Sequence, residues 1–326
     1  MKALFHALFS LFILAVIVAA SAGLWSYHEL HKPGPLDTDR VILIAPGASV
    51  PAIARQLKND GIIRYDWVFL LGTRIKKADK QLRAGEYDIL AHSSAAEVID
   101  VLVSGKMHQN RLTIPEGLTS WQIIAMLNAD ETLTGEIETV PKDGTLFPET
   151  YYFTRGTTRN DLIRRMQMQM SKMLEEEWEK REDGLPYKTL EEAVIMASIV
   201  EKETGIAGER ARVAGVFLNR LKRGMPLQTD PTVIYALTDG GKKPMDRPLY
   251  KKDLSLAHPY NTYQIAGLPP GPICHPGYDS IVATLHPEKH NYLYFVADGS
   301  GGHAFAATLK EHNRNVSAWR KHTRGK

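Results

Sequence analysis

The stretch TLEEAVIMASIVEKETG, residues 189–205, decides how the larger part of this chain folds. Thr189 and Glu192 have the spacing of a capping box, which predicts a helix that begins here, and Gly205 predicts where it ends. Residues 193–200 are all apolar or small, so the predicted helix is apolar nearly all the way round. Such a helix is normally buried, and we therefore expect this one to lie in a core.

Glu201 directly follows this apolar run, and helical spacing places it on one face with Leu190, Val194 and Ala197. A carboxyl group on an apolar stripe loses hydration, which disfavours its charged form and suits it to donate a proton near neutral pH. The pattern leaves two alternatives open. In one, Glu201 is a structural carboxylate paired with an arginine, and in the other the neighbouring glutamate is the functional acid. The candidates for these roles are Arg210, Arg212 and Arg220 for the pairing, and Glu203 for the acid.

Composition limits the classes of protein to which this chain can belong. Its 326 residues are 44% hydrophobic and 24% charged, which is typical of globular proteins and suits a terminal segment plus two modest domains. The net charge of +3 is too weak to predict nucleic-acid binding. Cys274 is the only cysteine, which excludes an internal disulfide and every multi-cysteine metal site.

No metal or cofactor is expected. His286 and His290 have the i, i+4 spacing of a metal pair, but Pro287 lies between them and no HExxH pattern occurs. The sequence also lacks a P-loop and a dinucleotide-binding fingerprint. The glycine-rich stretch 299–302 lies in a predicted hairpin, which does not favour phosphate binding.

Residues 7–27 predict a transmembrane helix. The run Ala7–Trp25 carries no charge, and about 19 residues at about 1.5 Å each span about 28 Å, close to the thickness of the hydrocarbon layer. Lys2 precedes the run, and aromatic residues follow it where an interfacial belt is expected. We predict that residues 1–6 are cytoplasmic and that the chain after the helix lies outside. The alternative is a cleaved signal peptide, because residues 20–22 have the A-x-A pattern.

The remaining chain predicts an α+β fold in two domains. A linker rich in proline, glycine and charge is expected at 28–37. Residues 38–106 have the pattern strand, helix, helix, strand, followed by a helix with a capping box. Residues 107–326 predict a larger mixed α+β domain, with a long amphipathic helix at 161–178 and a C-terminal strand hairpin before a closing helix.

Several blocks of sequence resemble the YceG-like family of endolytic murein transglycosylases, in the family's order and over nearly the whole chain. The least typical part is 239–250, which we interpret as a variable loop. The blocks are LFPETYYF at 146–153, VEKET at 200–204, FLNRL at 217–221, MPLQTDPTVIY at 225–235, YNTY at 260–263, GLPPGPI at 267–273, YLYFVAD at 292–298, GGHAF at 301–305 and HN at 312–313.

This resemblance implies a lyase that cuts peptidoglycan glycan strands between N-acetylmuramic acid and N-acetylglucosamine without water and leaves 1,6-anhydro ends. It implies that Glu201, and not Glu203, is the catalytic acid. It further implies an anchor in the inner membrane, a LysM-like βααβ domain at 38–106 and a catalytic domain at 107–326 in the periplasm. Partners in the wall-synthesis machinery, such as peptidoglycan synthases, would give access to nascent strands.

Five further residues are candidate substrate contacts. The side chains of Gln228, Asn261 and Tyr263 are expected to orient an N-acetyl group or stabilise an oxocarbenium-like transition state, and the alternative is that they fix loops. Glu149 and Asp230 are candidate second carboxylates, although a turn and a helix N-cap before proline explain them equally well. A second carboxylate would suit a lysozyme-type hydrolase of the same polymer, which is one alternative function. The other is a non-catalytic, membrane-tethered scaffold that binds the wall.

Overall fold

The computed structural model describes residues 2–324 and has a mixed α+β fold. The chain divides into two compact units. Unit 1 comprises Met1–Asn110 with Tyr152–Arg155, and unit 2 comprises Arg111–Tyr151 with Gly156–Lys326. Among the described residues the strands form three two-stranded sheets, so helices provide most of the packing surface.

Unit 1 begins with helix α1 (Lys2–His31), which is long and apolar enough to cross a membrane. The helix extends into the segment predicted as a linker, because its last turn is part of the core of unit 1. Leu30 is only 4% exposed. Its side chain packs where a Cβ at Gly72 would lie, so the absence of a side chain there permits the close approach.

The rest of unit 1 has the predicted order of strand, helix, helix, strand and helix. The two strands pair antiparallel, with Ile42 opposite Tyr87. Ser94 and Glu97 form the predicted capping box, and the last helix ends at Gly105 in a left-handed conformation (φ 68°). The elements are β1 (Arg40–Ile44), α2 (Val50–Asn59), α3 (Asp66–Ile75), β2 (Gly85–Ile89) and α4 (Ala95–Ser104).

Unit 2 carries most of the helices, and its predicted long amphipathic helix, closing hairpin and final helix are confirmed. Strand β3 begins at the boundary between the units. From residue 110 onward, with Asn110 and residues 152–153 counted in unit 1, the elements are β3 (Asn110–Thr113), α5 (Ser120–Ala129), β4 (Thr150–Phe153), α6 (Arg159–Glu179), α7 (Leu190–Glu203), α8 (Arg210–Lys222), α9 (Asp230–Leu237), α10 (Tyr278–Leu285), β5 (Tyr294–Ala297), β6 (His303–Ala306) and α11 (Leu309–Arg324).

Helix α7 is buried, as its sequence predicts. All eight residues Ala193–Val200 are buried, and the helix packs against α6, α8, α9 and α10. Ser198 is the polar member of this run, and its hydroxyl donates to the carbonyl of Ile195 and accepts the Ile273 N–H at 3.0 Å. We call residues 270–277 the wall segment, because they pass along α7. Ser198 therefore fixes the wall segment to the helix.

His275, in the wall segment, connects three parts of unit 2. Its Nδ1 accepts the Leu146 N–H at 2.9 Å, so the ring proton is on Nε2, which lies 2.9 Å from the hydroxyl of Ser120. Its backbone accepts from Gly117 and donates to Leu118. The ring is fully buried, and burial lowers the pKa of His275 to about 3. His275 is therefore neutral in the folded protein at physiological pH.

The neutral His275 makes the stability of unit 2 depend on pH. In the unfolded chain its pKa is about 6.5, so below that pH the unfolded state binds a proton that the folded state does not bind. We expect this contribution to the free energy of unfolding to be fully present above pH 6.5 and to fall by up to about 1.4 kcal/mol per pH unit between about pH 6 and pH 4. Urea unfolding of the full chain in detergent at several pH values measures this slope. His275→Asn, which keeps an acceptor but does not titrate, should have a smaller slope, and an equal slope in both proteins would contradict the assignment.

Candidate active site around Glu201

Glu201 lies in the last turn of α7 and faces the N-terminus of α10. Its Oε2 accepts hydrogen bonds from the Ser280 hydroxyl at 2.7 Å and from the Gly277 N–H at 3.1 Å. Partial positive charge at a helix N-terminus favours a carboxylate there. Oε1 has no hydrogen-bond partner among residues 2–324. Glu201 is half-buried, and Oε2 is the oxygen that these two contacts hold in place.

A second carboxylate lies beside Glu201. Glu116 precedes Gly117, whose carbonyl accepts from the Lys202 ammonium at 3.2 Å. The Glu116 carboxyl group occupies the space that any side chain at Gly277 would need, so both glutamates contact the same glycine. Burial is the main cause that raises the pKa of Glu116, and the negative charge of Glu201 adds to it.

Arg210 counters this negative charge without pairing with Glu201. Its guanidinium lies 3.8 Å from Glu116 and 3.4 Å from Asp279. Arg212 pairs with Glu288, and the guanidinium of Arg220 donates to backbone carbonyls. Within residues 2–324, no ion pair joins Glu201 to any of these arginines, so the alternative of an arginine-paired structural carboxylate is not found.

Glu203 points to the other side of α7. The hydroxyl of Thr229 donates a short hydrogen bond to its carboxyl group. Burial raises the pKa of Glu203, and the nearby charge of Asp230 contributes in the same direction. The phenol of Tyr263 donates to Asp230 Oδ1 at 2.6 Å. The two glutamates of the VEKET block therefore belong to different polar clusters.

The predicted substrate contacts are divided between these clusters. Asp230 and Tyr263 lie near Glu203, whereas Glu149 is exposed and its charge acts on Glu116. Gln228 is exposed and has a left-handed backbone (φ 50°). Asn261 is 0% exposed and its amide donates to two carbonyls of its own loop. These contacts are those of a loop-fixing residue, and the substrate roles of all five stay predictions.

The predicted N-cap at Asp230 is wrong by one position. Helix α9 starts at Asp230, its N-cap residue is Thr229, and the proline lies in the first turn. The Asp230 side chain accepts from Tyr263 and makes no capping hydrogen bond with its own helix.

Sequence reasoning missed Glu116, Gly277 and Ser280. For Gly277 and Ser280 the one local signal is a Pro-Gly turn followed by a serine three residues later, at the start of a helix. Their proximity to Glu201 arises from contacts over 70 residues or more along the chain. Within the described part of the chain, no group of three or more His, Cys, Asp or Glu side chains is arranged to hold a metal ion.

Unit 2 also contains a cavity of about 870 Å³ whose lining residues, within the described chain, do not include Glu201 or Glu203. It lies along the N-terminal half of α7, where Leu190 and Val194 line it, and it reaches the start of the wall segment at Pro270. Three aromatic residues line it as well: Trp121, Tyr235 and Tyr260.

Comparison with known proteins gives consistent results. A model of the YceG-like family matches residues 42–318. An endolytic murein transglycosylase of Bacillus subtilis (strain 168) is 36% identical over 306 residues, which cover 84% of this chain and 82% of that protein. A protein of the same name from Streptococcus pneumoniae (serotype 2, strain D39) is 30% identical over 94% of this chain, which spans 64% of its length.

The crystal structure of a YceG-like protein from Listeria monocytogenes has a TM-score of 0.53 and 30% sequence identity to this chain. The match covers 85% of this chain and 98% of the Listeria chain. Since the family model and the Bacillus relative each match most of this sequence, the chain belongs to the YceG-like family.

Proposed function

We propose that this protein is an endolytic lytic transglycosylase of peptidoglycan and that Glu201 is its catalytic acid and base. The activity is supported by membership of the YceG-like family and by the names of its relatives. The observation that supports Glu201 is its geometry. One carboxyl oxygen is held by Ser280 and Gly277 at a helix N-terminus, and the other has no partner among the described residues.

The proposed reaction uses the same carboxyl group twice. In the first step Glu201 donates its proton to the glycosidic oxygen between N-acetylmuramic acid and N-acetylglucosamine, and the C1–O bond breaks with its electron pair on the leaving oxygen. In the second step the C6 hydroxyl of the muramic acid attacks C1 and its proton passes to Glu201. The product has a 1,6-anhydro end, and Glu201 is protonated again. The attack is intramolecular, so it gains from proximity and needs no activated water.

The contacts of Glu201 suit both steps. Between the two steps Glu201 is a carboxylate, and hydrogen bonds from Ser280 and Gly277 stabilise its negative charge. Because both bonds go to Oε2, Oε1 keeps one orientation toward the sugar. Glu116 is the second carboxylate that a hydrolase would need, so the proximity of Glu116 is the observation that favours the lysozyme-type alternative. Analysis of the chain ends distinguishes the two, since a hydrolase leaves reducing muramic acid.

Replacement of Glu201 tests the catalytic assignment. We expect Glu201→Gln to lower the rate of formation of anhydro ends by about 10²- to 10⁴-fold, because the amide cannot transfer the proton. Mass spectrometry of glycan strands digested by the full chain in detergent measures this rate. The matched control is Glu203→Gln, two residues away on the other side of the helix, which should stay within about tenfold of the parent. Full activity of Glu201→Gln, or loss of activity in Glu203→Gln alone, would refute the assignment.

The Ser280 hydroxyl provides a second test. Hydrogen bonds to charged groups contribute about 1.5–3 kcal/mol, so Ser280→Ala should lower kcat by about 10- to 100-fold with little change in KM. The control is Ser255→Ala, whose hydroxyl bonds the Lys252 carbonyl in an exposed turn. Thermal unfolding of both variants separates catalysis from stability. An unchanged kcat in Ser280→Ala would show that this hydrogen bond does not contribute to the reaction.

We also propose that α1 is a retained anchor in the inner membrane and that the rest of the chain works in the periplasm on nascent strands, near peptidoglycan synthases. The apolar helix supports the anchor. Three exposed aromatic residues at the end of the apolar run support it as well: the Trp25 ring stacks on Trp67 at 5.4 Å and lies 5.9 Å from Tyr65. Such clusters are typical of the membrane interface. The LysM-like assignment of 38–106 is supported by the observed order of strand, helix, helix and strand.

The anchor proposal predicts the N-terminus of the mature protein. We expect it to retain residues 1–27 and to stay in the membrane fraction after alkaline carbonate extraction, because the run Ala7–Trp25 carries no charge and is long enough to span the hydrocarbon layer. N-terminal sequencing and fractionation check this. A mature protein that begins just after Ala22 and is released by carbonate would instead select the signal peptide.

A further inference from the structure

The cavity of about 870 Å³ in unit 2 has no part in the mechanism above, yet its walls are built from rings and a buried carboxyl group. The rings of Tyr235 and Tyr260 lie 4.7 Å apart at 42° to each other. Trp121 is 37% exposed, with Lys242 over its ring at 5.1 Å. Aromatic walls with a few fixed polar groups are typical of sites for small organic ligands.

Asp143 is the fixed polar group of this cavity. Its Oδ1 accepts the Ser120 N–H at 2.6 Å and its Oδ2 accepts the Tyr235 hydroxyl at 2.6 Å. Burial raises the pKa of Asp143. Each carboxylate oxygen has a second lone pair, so Asp143 is oriented and can still accept from a ligand hydroxyl or amide.

The charges around the cavity are mixed, with an excess of acidic groups. The carboxyl groups of Asp143, Glu191 and Asp239 line it with the ammonium of Lys142 and the ring of His258, and the Lys242 ammonium lies over Trp121. A phosphate or carboxylate ligand gains little from this set, whereas a neutral ligand with many hydroxyl and amide donors would find acceptors. A sugar has such donors on its edge and apolar C–H groups on its faces, which suit aromatic rings.

Two glycines keep the cavity open. A Cβ at Gly271 would lie 2.8 Å from the Tyr260 hydroxyl, and a Cβ at Gly240 would lie 3.3 Å from the Tyr235 hydroxyl. A side chain at either position would therefore clash with a tyrosine that lines the cavity. Both positions also line the cavity itself.

The cavity and Glu201 lie along one face of the same helix. Val194 lines the cavity, and Glu201 follows it by seven residues, which is about two turns and about 10 Å along the axis. The wall segment also reaches from the cavity to Glu201, because Pro270 and Pro272 line the cavity and the Gly277 N–H donates to Glu201. The helix face between them is buried, since Ala197 is 0% exposed, so a saccharide that reaches both has to pass over the surface of unit 2 and not along the helix.

We propose that this cavity is a second saccharide subsite, which holds an N-acetylglucosamine unit, the neutral sugar of the same glycan strand, at a distance from the bond that is cut. The inference rests on the proposed function for the identity of the polymer. The ring of Trp121 stacks on a sugar face, and Asp143 accepts from its hydroxyl or amide groups. The subsite selects strands long enough to reach from Glu201 to the cavity.

The test measures binding rather than turnover. Isothermal titration of the full-length Glu201→Gln protein in detergent, with peptide-free glycan oligosaccharides of increasing length, should show a rise in affinity once the ligand reaches the cavity. Adding Trp121→Ala should remove this rise and weaken binding of long strands by about tenfold, while short strands bind as before. Trp121→Phe keeps a ring and should restore most of the affinity. The control is Tyr250→Ala, an exposed aromatic residue outside the cavity lining that also has a cation over its ring.

Equal binding of long strands to the parent and to Trp121→Ala would overturn the proposal. So would an affinity that does not depend on length. Failure of the proposed function gives a different result, namely full lytic activity in Glu201→Gln or reducing ends in place of anhydro ends, whatever the binding curves show. In the active protein, Trp121→Ala should raise KM for long strands by about tenfold, whereas the control Tyr250→Ala should leave it unchanged.

Discussion

One buried, neutral imidazole holds together the segments that carry Glu116 and Gly277. His275 joins the loop before α5, the segment at Leu146 and the wall segment, and each contact uses a specific ring or backbone atom. A protonated ring would present a donor at Nδ1 to the Leu146 N–H, which is also a donor, and one contact would be lost.

The position of Gly277, two residues along the same segment, depends on this arrangement. So does that of Glu116, because Gly117 donates to the carbonyl of His275. The environment of Glu201 is therefore set largely by a histidine that does not touch it.

Helix α7 places two glutamates in contrasting surroundings. Residues two positions apart on a helix differ by about 200° in direction, so Glu201 and Glu203 cannot serve one site. Glu201 lies at a helix N-terminus and accepts from two donors, and its other oxygen has no partner within residues 2–324. Glu203 meets Thr229 and lies near a second acid, so its proton is favoured by burial and by like charge. The protonated form is therefore favoured at Glu203, whereas Glu201 has the oxygen without a partner among residues 2–324, so the choice of Glu201 rests on that oxygen and on the family resemblance.

Local signals explain what could be predicted from the sequence. The start of α7 at the Thr189 cap, the burial of its apolar run and the capping box at Ser94 depend on residues within a few positions of each other, and all were predicted correctly. The sequence places Leu30 in a linker, because the apolar run ends earlier and a proline-rich segment follows. Its packing against Gly72 is a tertiary contact without a local pattern. The contacts of Glu201 with Ser280 and Gly277 join distant segments through the fold of the wall segment. A single sequence contains no signal for such proximity, so the residues around Glu201 could not be predicted.

The rigidity of α7 has a consequence for how a polymer would meet this protein. A buried helix that packs against four others cannot stretch, so the separation between the cavity at Val194 and the carboxyl group of Glu201 is a fixed length. If a sugar lies in the cavity, the fixed repeat of the glycan determines which linkage of the strand lies beside Glu201. Binding energy from a remote sugar can then hold the reacting bond against Oε1, as expected where distant contacts contribute to the rate. An enzyme of this design would recognise the interior of a strand by its length and repeat, with no need for a chain end.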